Sequence, residues 1–194
     1  MRLVVATRNE HKLRELGEIL AGVELVPLPA DVQLPPEDEV TFAGNALIKA
    51  RAARDATQLP SIGDDSGIEA YGLGGRPGVR SARYAGENAT DEENLAKLLR
   101  EVREAGDDRR VAYVCAIALA RPGGDETVVE ARSEGTLIGE PRGTGGFGYD
   151  PAVVPDDTGP DDDRTMAELS PAEKHEVSHR GRAARLLAGK LGLP

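Results

Sequence analysis

Apolar positions recur along this chain in two rhythms. Leu3 to Ala6 is a short continuous run, and Leu13, Leu16, Ile19 and Leu20 follow at helical spacing, so the chain opens as strand, loop and helix. Thr7 and Glu10 have capping-box spacing, T-x-x-E. This places TRNEHK in the loop and first helical turn, where free backbone amides form an anion site. An alanine-rich helical pattern from Val40 to about Thr57 puts Asn45 and Lys49, four apart, on one face. Ser61-Ile62-Gly63 reads as a strand that Ile68 resumes. Thr90 and Glu93 form a second capping box, with Leu95, Leu98, Leu99 and Val102 as the core stripe of its helix. Val111, Tyr113, Cys115, Ile117 and Leu119 alternate with other apolar residues, the pattern of a central strand covered on both faces. Pro122 to Asp125 turns it into a partner, Thr127 to Ala131, and a third strand is expected near Thr136 to Ile138. Ser170, Pro171 and Glu173 start one helix. Ser178 is expected to cap the last, Arg180 to Leu191, with Leu186, Leu187 and Leu191 on its buried stripe. Strand-helix units mixed with a hairpin give an α/β fold with a mixed sheet.

Composition excludes several classes. At 194 residues the chain is one domain, or one domain with two lobes, large enough to bury a core without cross-links. Its single cysteine, Cys115, reads as a small core residue, and cytoplasm is the natural compartment. The apolar amino end is too short for a signal peptide, and no stretch approaches the ~20 apolar residues of a membrane span. With 24 basic and 34 acidic residues the net charge is −10, which argues against nucleic acid as a partner. A small anion still fits, because a few fixed donors outweigh an acidic surface locally.

The chemistry centres on Asp64-Asp65-Ser66-Gly67. Two adjacent carboxylates inside an apolar run resist joint ionisation unless a cation or a relayed proton intervenes, the setting of metal-assisted or general-base chemistry; a polar turn is the plainer reading. Lys12 opposes the dipole of the helix it opens, a conflict that an anionic ligand would remove and that an exposed lysine would simply tolerate. Lys174 and Arg180 also stand at helix starts. Glu37, Asp38 and Glu39 precede a helix and serve as dipole partners or metal ligands. Gly143 to Asp150, GTGGFGYD, satisfies G-x-G-x-x-G but lacks the strand-then-helix setting of a dinucleotide fingerprint. Its Phe147 and Tyr149 suit stacking on a base, or packing in the core. The loop Pro155 to Arg164 lacks EF-hand spacing and reads as a solvated acidic surface.

TRNEHK, DDSG, GTGGFGYD and SPAEKHEVSHRG, in this order and together with GLGGRPGVRSARYAG, resemble the non-canonical purine nucleoside triphosphate pyrophosphatases, the inosine/xanthosine triphosphatase family. The resemblance spans essentially the whole chain, residues 1–194, as a single domain. It implies an elongated mixed α/β structure with two lobes and a cleft between them, and a magnesium-dependent, cytoplasmic, homodimeric enzyme. Such an enzyme converts ITP, dITP and XTP to the monophosphate and pyrophosphate. Carried over by motif, Thr7, Arg8, Asn9, Glu10, His11, Lys12 and Lys49 would hold the triphosphate. Asp65 would be the metal-linked general base beside Ser66, with Asp64 and Glu37 as further metal ligands. Phe147, Gly148, Tyr149 and Asp150 would line the nucleoside pocket, and Lys174, His179 and Arg180 would meet the base. Tyr71 stands where an acidic residue is common in the family, and the acidic loop is longer than usual. The alternatives are a Maf-like pyrophosphatase for other modified nucleotides and a nucleotide-binding regulator without catalysis; the intact acids Asp64, Asp65 and Glu37 count against the second.

Overall fold

The computed structural model describes residues 1–193. Six strands form one mixed sheet in the order β2-β1-β3-β4-β5-β6: β1 Arg2–Val5, β2 Glu24–Pro27, β3 Ser61–Ala70, β4 Arg110–Ala120, β5 Glu126–Leu137 and β6 Val153–Pro155. β1 runs parallel to both β2 and β3, whereas β6 is antiparallel to β5. The helices are α1 Glu10–Ile19, α2 Phe42–Thr57, α3 Asp91–Glu104, α4 Pro171–Val177 and α5 His179–Lys190. Among the described residues no helix is long and apolar enough to cross a membrane.

The chain divides into two compact units. The first comprises Met1–Asp65, Cys115–Ala131 and the stretch from Arg180 onward. Its strand β1 is buried on both faces, as a parallel strand between layers must be. Leu3 and Val5 pack with Leu16, Leu20, Ile117, Leu119, Ala184 and Leu187, while Val4 and Ala6 meet Leu28 and Ala53. The second unit comprises Ser66–Val114 and Arg132–His179. Its core gathers Ile68, Leu73, Leu95, Leu98, Val102, Tyr113, Tyr149, Val153 and Met166.

Both later capping boxes form as expected, at Thr90 with Glu93 and at Ser170 with Glu173. The first does not. Asn9 caps α1, its side chain accepting from the amides of His11 and Lys12, and Thr7 Oγ1 instead accepts from the Asn9 amide. Asn is as strong a cap as Thr, and it lies directly before the helical run. The alanine-rich helix starts at Phe42 rather than Val40, capped by Thr41. The strand expected at Thr136–Ile138 is the end of β5, which continues unbroken through Gly135. A Cβ there would press on the Val154 carbonyl of β6, so this glycine admits the neighbouring strand rather than ending its own. The last helix begins at His179, and its buried side is Ala183, Ala184 and Leu187; Leu186, one position off that stripe, is 51% exposed.

One close approach positions the chemistry. Gly63 of β3 lies against α2 so tightly that a Cβ would strike the Ala46 carbonyl oxygen and the Ala50 nitrogen. Neither backbone atom can swing aside. Gly63→Ala is therefore expected to cost about 3 kcal/mol, a drop of roughly 6–12 °C in melting temperature. A melting curve within 2 °C of the parent would mean that strand and helix have room to spare.

Candidate active site

Consecutive residues of a strand point to opposite faces, and Asp64 and Asp65 accordingly meet different partners. Asp64 is 1% exposed. Its Oδ1 pairs with Lys12 Nζ at 2.5 Å, and its Oδ2 accepts from Arg180 Nε at 3.0 Å and from Cys115 Sγ at 3.1 Å. Lys12 and Glu15 are three apart on α1 and so share a face. Arg180, 2% exposed, donates Nη1 to Glu15 Oε2 at 2.6 Å. Burial acts to raise the Asp64 pKa, but Arg180 and Lys12 outweigh it and hold the carboxyl well below the ordinary range. Asp64 is a fixed anion. Burial and the nearby Asp64 charge push the Cys115 thiol well up, away from nucleophile chemistry.

Asp65, 4% exposed, faces α2. Its Oδ2 accepts from Asn45 Nδ2 at 3.0 Å, and Lys49 Nζ lies 3.4 Å from its Oδ1 and 2.5 Å from Glu37 Oε1. Here burial prevails. It raises the Asp65 pKa above its ordinary value, with Lys49 and Lys12 opposing and Glu37 reinforcing. For Lys49 burial acts downward, yet Asp65 and Glu37 outweigh it and the ammonium is favoured. Neighbouring carboxyls pushed in opposite directions take different tasks: one holds charge, and the other can exchange a proton.

Among the described residues, no three or more His, Cys, Asp or Glu side chains gather as a metal-binding cluster. Glu37 and Asp65 nevertheless converge on one cation, the Lys49 ammonium. Two hard carboxylates meeting at a point suit magnesium, which takes one or two protein carboxylates and fills its shell with water and phosphate oxygens. Asp64 has both oxygens engaged by cations.

The second unit holds a separate polar set. Asp150 receives Lys174 Nζ at 2.8 Å and the Phe147 amide at 2.9 Å on Oδ2, and the Tyr113 hydroxyl at 3.0 Å on Oδ1. Lys174 Nζ lies 5.2 Å from the centre of the Phe147 ring. His179 stacks on Tyr113, ring centres 4.6 Å apart. The Gly148 amide donates to Asp91, and the buried Tyr149 gives its hydroxyl to the Ser81 carbonyl. Ser66 is half-buried in β3.

Of the segment Thr7 to Lys12, Lys12 is the residue whose side chain pairs with the aspartate pair. Arg8 turns away and donates to the carbonyls of Leu28, Pro29, Ala30 and Val32. Glu10 and His11 are exposed, and His11 Nδ1 meets Arg14 Nη2 at 3.0 Å. The dipole conflict at Lys12 is relieved within the protein, by Asp64. Phe147, Tyr149, Asp150 and Lys174 come together with His179, whereas Arg180 is joined to Asp64 and Glu15. Sequence reasoning overlooked Glu15, Asp91 and the polar contacts of Cys115 and Tyr113. An acid on a helix face looks solvated in sequence, and its partner Arg180 is 165 residues away.

Comparison with known proteins bears on the family of the chain. The profile of the Ham1 family matches residues 3–190. A dITP/XTP pyrophosphatase of Geobacter sulfurreducens is 48% identical over 98% of this chain and 96% of its own length, and one of Mycobacterium bovis is 50% identical over 96% and 93%. Among solved structures, a HAM1 protein from Coxiella burnetii superposes with a TM-score of 0.89 at 39% identity, covering 99% of this chain and 98% of that one. The Staphylococcus aureus Ham1 protein gives 0.86 at 36% identity, with the same coverage. Motifs, fold and full-length similarity thus converge, and the chain belongs to the Ham1 family.

Proposed function

We propose that this protein hydrolyses non-canonical purine nucleoside triphosphates, dITP, XTP and ITP among them, to the monophosphate and pyrophosphate. The observation behind the reaction type is the divided aspartate pair, with Asp64 held between Lys12 and Arg180 while Asp65 faces Asn45 and the Lys49 ammonium that it shares with Glu37. Support for the substrate class comes from relatives named dITP/XTP pyrophosphatase that match nearly the full chain.

In this reading Asp65 takes a proton from water as the water oxygen attacks the α-phosphorus, and the bond from that phosphorus to the α–β bridging oxygen breaks, so that pyrophosphate leaves with the bridging oxygen. Asn45, bonded to Oδ2, fixes the carboxylate's orientation. Lys12 and Lys49 supply positive charge to the phosphates, and a transfer of this kind depends on positioning and charge neutralisation more than on a protein nucleophile. Glu37 and Asp65 would hold magnesium, which when bound neutralises phosphate charge and polarises the group attacked. Arg180, with Nε and Nη1 given to Asp64 and Glu15, is assigned to this carboxylate set rather than to the base. The base falls to Lys174 and His179. Hypoxanthine and xanthine carry an acceptor oxygen at position 6 where adenine carries an amino donor, and lysine offers donors alone. The family resemblance is the ground for expecting a homodimer in the cytoplasm.

The direct test is pyrophosphate release across a panel of nucleoside triphosphates with magnesium. dITP and XTP should turn over, and ATP should lag by on the order of 10⁴, as expected where buried donors would face a donor. Comparable rates on ATP would remove the proposed selectivity. EDTA should abolish turnover and added magnesium restore it; turnover that persists in EDTA argues against the metal.

The two aspartates should separate in a second experiment. Asp65→Asn should lower turnover at least ~10²-fold with the fold intact. Asp64→Asn should instead destabilise the protein by roughly 3–5 kcal/mol, because Arg180 and Lys12 lose a buried counter-charge. Denaturant unfolding measured beside turnover decides it: equal stabilities for both variants would contradict the division of labour.

A further inference from the structure

We propose that Tyr113 is a positioning residue for base recognition, setting the His179 ring directly and Lys174 through Asp150. The proposal rests on the reading of Lys174 and His179 as the groups that meet the base. In sequence Tyr113 is one more residue of a buried strand, and it is indeed 5% exposed. A buried tyrosine nevertheless needs a partner for its hydroxyl, and an aliphatic residue would fill a strand interior more simply. Here both ends of the side chain are used. The ring lies 4.6 Å from the His179 imidazole at an interplanar angle of 7°. The hydroxyl donates to Asp150 Oδ1 at 3.0 Å, while Oδ2 of that carboxylate accepts from Lys174 Nζ and the Phe147 amide.

Each contact bears on selectivity. A neutral imidazole presents one donor and one acceptor, so a freely tilting histidine could satisfy either an oxygen or an amino group. Stacking confines its two ring nitrogens to one plane, and a hydrogen bond weakens steeply away from its axis. The Asp150 carboxylate, gripped from both sides, fixes where the Lys174 ammonium sits and hence which donors remain for a ligand. A single strand residue thus aims both candidate base readers without touching the base.

The stack can be observed in the protein without ligand. A through-space NMR contact between Tyr113 ring protons and the His179 C2 proton is expected, with that proton shifted upfield. The ring current should persist in Tyr113→Phe and vanish in Tyr113→Leu. On dITP and dATP, Tyr113→Leu should narrow the ratio of kcat/KM values by about tenfold, the scale of one lost aromatic pair. Tyr113→Phe, which keeps the stack but removes the hydroxyl from Asp150 Oδ1, should narrow the ratio by an intermediate factor of about threefold, the scale of one lost hydrogen bond. The proposal is overturned if the NMR contact is missing in the parent protein, a result that needs no folded variant. It is equally overturned if Tyr113→Leu lowers both substrates by one factor, the mark of a packing role. A parent protein inert toward dITP would defeat the proposed function and leave the stack to be judged by the NMR contact.

Discussion

A carboxylate without exposed surface stays ionised where fixed positive charge replaces the water it has lost, and Asp64 meets that condition through Lys12 and Arg180. The arrangement draws in much of the first unit. Lys12 stands in the first turn of α1 because Asn9 caps it, and Arg180 stands in the first turn of α5 with Glu15 taking its second charged edge. Strand β3, helix α1 and helix α5 are thereby tied at one point by groups that cannot be removed singly. Dropping any one leaves an unbalanced charge in the interior. This is a reason for the polar core at a place where an apolar one would pack as well, and the reason is chemical: a permanent negative charge beside Asp65.

Asp65 shows the complementary solution. It too is buried, but its cation is shared with Glu37 and sits 3.4 Å away, so desolvation prevails and the proton is held more readily. Two residues of one type, adjacent in sequence, acquire opposite properties because a strand sends them to different neighbours. The helix that serves Asp65 is held close by Gly63, a position where the missing side chain is the functional feature.

Much of the fold was legible in the sequence because its signals are local. Caps at Thr90 and Ser170, the apolar alternation of β4 and the stripe of α3 each lie within a few residues and need no tertiary knowledge. The cap of α1 went to Asn9 because two good candidates lay side by side and spacing could not rank them. The site was legible as a set of motifs but not as a set of pairs. Arg180 and Asp64 are 116 residues apart, and nothing near either names the other. Arg8 had the composition of a phosphate ligand yet bonds carbonyls, since a guanidinium satisfies a turn as readily as an anion. Tyr113 left one faint trace, an aromatic hydroxyl in an aliphatic strand.

The grip of Arg8 on Leu28, Pro29, Ala30 and Val32 also has a mechanical consequence. It clamps the chain at Val32, and Glu37 hangs five residues further on, reaching Lys49 from a stretch without regular secondary structure. Between clamp and carboxylate lie Gln33, Leu34, Pro35 and Pro36. Paired prolines hold an extended, stiff backbone of about 3.1 Å per residue. The segment is then a strut whose length sets where the carboxylate arrives. Side-chain identity at Gln33 matters less here than the number of residues, so a one-residue insertion or deletion should disturb Glu37 more than a substitution would.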